Sequence, residues 1–279
     1  MSCQQNSSGA VMETNTQFLK VTDQESGEER RLAYSKVDGM RTPGIIFIPG
    51  FMSHKNSEKP TAIHDFCKKN GFPFVRYDPT ALGESDGPIE LKDARFSHWL
   101  QDAEEALLQL TEGPQLVIGS SMGGWLASCL AKKYPEKFQS LLLLAPSINF
   151  ANHYVERIRR KAPPQLLEML EKGECYEYQD PKYGPYPVSL RVFQDMVPYE
   201  LSLEEAGSYP ISCPVRIIHG TEDTYSPYEN SLKLLTGFQT SDIFLLYVKG
   251  TDHHLDDPQS LEIIFETILK LTSPSSSKL

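Results

Sequence analysis

Short apolar runs recur along the chain between segments with helical spacing, and this rhythm predicts most of its elements. Thr16–Val21 and Arg31–Val37 alternate apolar and polar residues on either side of Gly27, as an opening antiparallel hairpin would. Gly44–Ile48 is a continuous apolar run stopped by Pro49 and Gly50, and Lys59–Lys69 then has helical period. Pro73–Tyr77 reads as a second buried strand, Asp78–Gly87 as a loop and Phe96–Leu110 as a helix. Gln115–Ile118 is a third buried strand, with a helix predicted over Ser121–Lys133. Ser140–Leu144, Val215–Ile218 and Ile243–Val248 add strands, and Leu261–Leu271 closes the chain as a helix.

Strands that are apolar throughout are covered on both faces, and strands alternating with helices make a mostly parallel sheet. The expected class is therefore α/β, a central sheet with helices on both faces, forming one domain over residues 1–279. One stretch breaks the rhythm. About 70 residues separate Leu144 from Val215, far more than a crossover needs, and they are rich in Pro and Tyr. Two helices are predicted within them, Tyr154–Lys161 and Pro164–Lys172. The reading is a cap, about residues 147–208, inserted over the carboxyl edge of the sheet.

Charge narrows the partners. A formal net charge of −10 argues against nucleic acid, because phosphate binding needs concentrated Lys and Arg. Arg157–Lys161 is the one basic exception, either a solvated helix face or a site for a carboxylate. The 5 cysteines form no CxxC pair, which favours a reducing compartment over a disulfide framework. No apolar run approaches the roughly 18 residues of a membrane span, so no integral membrane segment is expected. The amino terminus has no Lys or Arg before Lys20 and reads as neither signal nor transit peptide. Taken as native, it predicts a cytoplasmic protein. The tail Ser273–Leu279 is expected to fray.

The chemistry concentrates around Gly119-Ser120-Ser121-Met122-Gly123. A serine between two such glycines, with a buried strand before it and a helix after it, sits on a tight turn that presents its hydroxyl. The spacing selects Ser121 over Ser120 as nucleophile. A serine nucleophile needs a base, and the base an orienting acid, downstream and in the order acid then histidine. His153 falls in the cap, and His219 ends a strand, where a structural role fits it better. His253 and His254 follow the last strand; His253 is preferred, with the pair leaving the choice open. The loop after Leu144 carries no carboxylate, whereas the one after Ile218 offers Glu222 and Asp223. Asp223 is the choice and Glu222 the runner-up. Asp252 and Asp256 read as solvated loop residues or caps. The oxyanion of an acyl-transfer intermediate needs two N–H donors. Met122, after the nucleophile, and Phe51, beside Gly50 in the first loop, are the candidates.

With these positions in place, the chain resembles the α/β-hydrolase superfamily along nearly its whole length. Pro49-Gly-Phe51, Gly119-Ser-Ser-Met-Gly-Gly124, His219-Gly-Thr-Glu-Asp223 and Asp252-His253 stand in that family's order. Pro43–Ser53, Ser85-Asp-Gly87, Gly113–Trp125 and Cys213–Arg216 are similar to a mitochondrial branch whose members are palmitoyl-protein thioesterases that also cleave acyl glucuronides. The resemblance implies Ser121, Asp223 and His253 as triad, Ser-Asp-His, and so selects His253 over His254. It also implies a mitochondrial location. Two positions depart from the pattern: Ser226 replaces an aliphatic residue, and Ala81 a glycine.

The expected activity is hydrolysis of acyl thioesters or esters through an acyl-serine. The partner is an acylated protein or a small acyl thioester or ester, and neither metal nor organic cofactor is needed. Alternatives are a general carboxylesterase or lipase of small esters, a proline aminopeptidase and a non-catalytic interaction module. An Asp at 121 would signal a dehalogenase or epoxide hydrolase, and a Cys a lactone hydrolase.

Overall fold

The computed structural model describes residues 16–273. The amino-terminal stretch read for targeting signals, and all of the expected frayed tail beyond Ser273, lie outside the described residues.

The chain opens with the hairpin β1 (Gln17–Thr22) and β2 (Glu29–Val37). It continues through β3 (Gly44–Ile48), α1 (Glu58–Asn70), β4 (Phe74–Tyr77), α2 (Phe96–Leu110), β5 (Gln115–Ser120), α3 (Met122–Lys133) and β6 (Phe138–Leu144). After the insertion the sheet resumes with β9 (Val215–Gly220), α7 (Asn230–Gly237), β10 (Ile243–Val248) and α8 (Pro258–Thr272). Eight strands form one sheet in the order β1-β2-β4-β3-β5-β6-β9-β10. Pairing is parallel from β4 to β10 and antiparallel for β2 on both of its sides.

The continuous apolar runs are explained by two covered faces. Successive side chains in a strand point to opposite sides. Ile46, Ile48, Val117, Leu141 and Leu143 enter one core with Trp99 and Ala103 of α2 and Trp125 and Leu130 of α3. Ile45, Phe47, Leu116, Ile118, Leu142 and Leu144 enter the other, against Ile63 and Cys67 of α1 and Ile264 and Ile268 of α8. Each fully buried aliphatic or aromatic side chain contributes roughly 1.5–3 kcal/mol. The sheet is consequently a rigid platform.

Chain direction places a crevice at its centre. From β3 the chain crosses to β4 on one side, then returns past β3 to β5 on the other. Ligand sites in open parallel sheets form at such reversals, beyond the carboxyl ends of the strands. Ser121 follows β5 and Phe51 follows β3.

Between β6 and β9 the chain leaves the sheet. It forms α4 (Ala151–Lys161), α5 (Pro164–Glu171), the antiparallel hairpin β7 (Tyr176–Asp180) and β8 (Gly184–Val188), and α6 (Leu190–Met196). The Pro- and Tyr-rich part is thus a hairpin where no strand was expected. Its turn is closed by Asp180, whose Oδ1 accepts the N–H groups of Lys182 and Tyr183, with Gly184 at φ +72°. The insertion is tied down by polar contacts. Trp125 Nε1–H donates to Tyr199 O at 2.8 Å, and Asn149 exchanges two bonds with the Leu201 backbone. Asp195 accepts from the N–H and hydroxyl of Ser97 at the start of α2. Helix α7 was also absent from the expected elements.

Candidate active site

Ser121 lies at the turn between β5 and α3 with φ +54° and ψ −125°, a backbone state that non-glycine residues rarely adopt. The turn holds because its surroundings leave it no alternative. Ser121 N–H donates to Leu144 O at 2.9 Å, and Ser121 O accepts from the N–H groups of Gly124 and Ser147. A Cβ at Gly119 would stand 2.6 Å from Gly123 O, and one at Gly123 would be driven into the carbonyl oxygens of Ile48 and Pro49. Both clashes are with backbone, which cannot turn aside. Gly123→Ala is therefore expected to cost about 3 kcal/mol, read as a lowered midpoint in chemical denaturation. A loss within experimental error would show that the turn is looser than its packing implies.

The turn aims the Ser121 hydroxyl at His253, whose Nε2 lies 2.8 Å from Oγ, while Nδ1 lies 2.6 Å from Asp223 Oδ2. A carboxylate can only accept, so Nδ1 carries the imidazole proton and Nε2 is left to accept from the serine. Asp223 stands in the loop after β9, and His253 in the loop between β10 and α8. Tyr225 covers the imidazole, its ring centroid 5.2 Å from that of His253.

Asp223 is saturated. Oδ2 also accepts from His219 Nε2–H at 2.8 Å, and Oδ1 accepts the N–H groups of Tyr225 and Ser226, each at 2.8 Å. Burial alone would raise its pKa. The bonds from His219, His253 and the Ser226 N–H outweigh burial and hold the carboxyl well below the usual carboxylate range.

His219 is the residue whose part was not foreseen. It is fully buried, accepts from Ser231 through Nδ1 and donates to the same carboxylate oxygen as His253. Its only trace in the sequence is a histidine ending an apolar strand. Ser147 is a second addition, its Oγ 3.4 Å from that of Ser121. Lys59, which donates from Nζ to Ser120 Oγ at 2.9 Å, is a third, hidden among the solvent-facing lysines of a predicted helix.

The other expected candidates fall elsewhere. Glu222 is exposed and outside the hydrogen-bonded relay. The His254 ring packs beside Tyr183 and Tyr225. Asp256 pairs with Lys182 at 2.9 Å, and the capping carboxylate of α8 is Asp257. Ser226 takes its aliphatic counterpart's place by bonding through Oγ to Pro146 O. Ala81 stands at φ +64°, where glycine is the easier residue.

Gly50 lets the β3 loop approach Ser121, since a Cβ there would lie 2.9 Å from Ser121 Cβ. The N–H groups of Phe51 and Met122 flank this contact, and among the described residues neither has a hydrogen-bond acceptor. Above them opens a cavity of about 1570 Å³. One part is apolar, furnished by Ile158, Leu166, Leu170, Val192, Phe193 and Met196 of the insertion. Of the basic segment, Arg157 and Lys161 border the cavity, one turn apart on α4, whereas Arg159 and Arg160 do not. Among the described residues no cluster of three His, Cys, Asp or Glu side chains is arranged to hold a metal ion.

Comparison with known proteins gives the family. Residues 43–171 match the model of the alpha/beta hydrolase fold family. Over 269 residues the chain is 32% identical to the rat protein named palmitoyl-protein thioesterase ABHD10, mitochondrial, covering 94% of this chain and 84% of the rat one. The chain belongs to the α/β-hydrolase family. It is a hydrolase. The human protein of the same name is 31% identical over 85% of this chain and 75% of its own length. The solved structure of mouse alpha/beta hydrolase domain-containing protein 10 superposes with a TM-score of 0.76 at 30% identity, over 91% of this chain and 98% of that one. No helix among the described residues is long and apolar enough to cross a membrane.

Proposed function

We propose that the protein hydrolyses long-chain acyl thioesters, foremost S-palmitoylated proteins, through an acyl-serine at Ser121. The observation that carries this reading is the hydrogen-bonded series Ser121–His253–Asp223 opening onto a large, partly apolar cavity. ABHD10, to which the chain is similar, bears the name of that activity and of a mitochondrial location. Both are taken here as belonging to this protein too.

In the first half-reaction Ser121 Oγ bonds to the acyl carbonyl carbon as its proton passes to His253 Nε2. The carbonyl oxygen takes the charge and is met by the N–H groups of Phe51 and Met122. The tetrahedral intermediate then collapses, the C–S bond breaks, and the imidazolium returns its proton to the departing thiolate. Water repeats the sequence on the acyl-serine, releasing the carboxylic acid. Asp223 holds the imidazole and stabilises its cation throughout. No metal or organic cofactor enters any step.

Residues 147–208 act in this scheme as a cap on a single domain, and their apolar side chains receive the acyl chain. Arg157 and Lys161 at the border favour substrates with a carboxylate near the scissile bond, such as an acyl glucuronide.

Rates measured over acyl thioesters of graded chain length test the reading. The account expects kcat/KM to climb with length toward a long-chain optimum, since each buried CH₂ contributes about 0.8 kcal/mol. A flat profile, or a maximum at acetyl, would assign the enzyme to small esters instead.

A further inference from the structure

Lys59 lies at the start of α1 and is 8% exposed. Lys59 and Ser120 both line the catalytic cavity, and among the described residues the one hydrogen-bond acceptor of the ammonium is Ser120 Oγ, next to Ser121. An ammonium has three donors, so two are left without protein partners. Among the described residues no carboxylate forms an ion pair with it. The nearest acids, Asp256, Asp252 and Asp223, act on it only at a distance. They are also committed elsewhere: Asp256 to Lys182, Asp252 to the His254 N–H and Asp223 to the two imidazoles.

Burying a cation without a counter-ion costs several kcal/mol, and a fold that needs only a filler would use an apolar side chain. Burial pushes the Lys59 ammonium down to about 8, so at neutral pH it still carries its charge for the most part. The apolar side of the cavity lies among α4, α5 and α6. Lys59 instead feels the charges of Lys182, Asp256 and Asp252, and Ser57, Lys182 and His254 line the same cavity. If the acyl chain occupies the apolar side, the leaving group faces Lys59.

We infer that Lys59, together with the Ser120 hydroxyl, forms a subsite for an anionic oxygen acid, a carboxylate or phosphate, carried on the leaving group of the substrate. This rests on the proposed acyl-transfer role of Ser121 for its orientation and adds to it a selectivity for acidic thiols and alcohols. The anion takes the two spare N–H donors as charge-assisted hydrogen bonds, the stronger kind. Because Nζ is tethered beside Ser121, the anion fixes the position of the scissile carbonyl as well. Lys59 would thus bind substrate directly without taking part in proton transfer.

The test compares three octanoyl thioesters, of 3-mercaptopropionate, of 2-mercaptoethyl phosphate and of the neutral 3-mercaptopropionamide. The wild-type enzyme should favour at least one acid over the amide by about tenfold or more in kcat/KM, equivalent to about 1.4 kcal/mol. In Lys59→Met that ratio should fall to near one, and Lys59→Arg should restore part of it. Which acid shows the larger ratio tells carboxylate from phosphate. A ratio measured within one variant cancels any loss of folded enzyme. If Lys59 merely braced the turn at Ser120, all three rates would fall together and the ratio would persist, which overturns the inference. A wild-type ratio near one for both acids also overturns it.

Binding separates this result from the fate of the thioesterase reading. Calorimetric titration of Ser121→Ala with 3-mercaptopropionate, 2-mercaptoethyl phosphate and the amide needs no turnover. Weaker binding of the favoured acid, but not of the amide, on adding Lys59→Met supports the subsite even if no thioester is cleaved. Equal binding with and without Lys59 sinks it even if every thioester is.

Discussion

Ser121→Ala is expected to lower kcat on an acyl thioester by about 10⁶-fold with the fold intact. Alanine keeps the strained turn, its packing against Gly50 and the bonds of the Ser121 backbone to Leu144, Gly124 and Ser147. Only Oγ is lost. The nearest hydroxyl, that of Ser147, lies 3.4 Å from the lost one, and its hydrogen bonding places it beside the nucleophile rather than against His253. Residues of such a relay act as a unit. The double variant Ser121→Ala/His253→Ala should therefore be hardly slower than either single one. Additive losses would mean that His253 serves a step that does not involve Ser121.

The second large effect belongs to the acid. Asp223→Asn should reduce kcat by about 10⁴-fold. Four N–H donors converge on this side chain, two from imidazoles and two from backbone. A carboxylate accepts all of them. An amide offers one oxygen, so its NH₂ must face donors whichever way it turns. Turned toward the imidazoles, it drives the His253 proton onto Nε2, where the serine can no longer be deprotonated. Turned the other way, it meets the N–H groups of Tyr225 and Ser226. The same substitution should change acid stability. A carboxyl held below its unfolded value near 3.9 stabilises the fold above that pH, and this contribution fades as pH falls through the folded value. The wild type should thus lose stability on acidification below about pH 4, and Asp223→Asn should lose less. Parallel curves for the two proteins would place that stabilisation in other groups.

Much of the fold was legible because its buried strands announce themselves. Gly44–Ile48 and Gln115–Ile118 stand as the sequence predicts, the two sheet faces demanding apolar residues at every position of these central strands. The insertion was less readable for a physical reason. β7 and β8 are exposed or half-buried along most of their length, so no burial enforces alternation, and Pro185 and Pro187 suppress a strand signal without preventing a two-stranded ribbon. α7 spans only Asn230–Gly237 and buries few residues, too short to show a period.

The candidate site divides in the same way. Ser121, Asp223 and His253 could be ranked because loop position and chain order restrict them. His219 was set aside since a buried histidine at a strand end satisfies the same pattern whether or not it touches an acid. Lys59 left no signal at all. On a helix with several lysines, burial of one depends on the tertiary packing around it, here beside Ser120 at the end of β5.

The account stands on Ser121 as the covalent nucleophile, and intact-mass analysis after treatment with a fluorophosphonate tests this most directly. The wild type should gain the mass of one phosphonyl group, located by peptide mapping at Ser121, and Ser121→Ala should gain none. An adduct of equal yield on Ser121→Ala, or one mapped to another residue of the wild type, would contradict it.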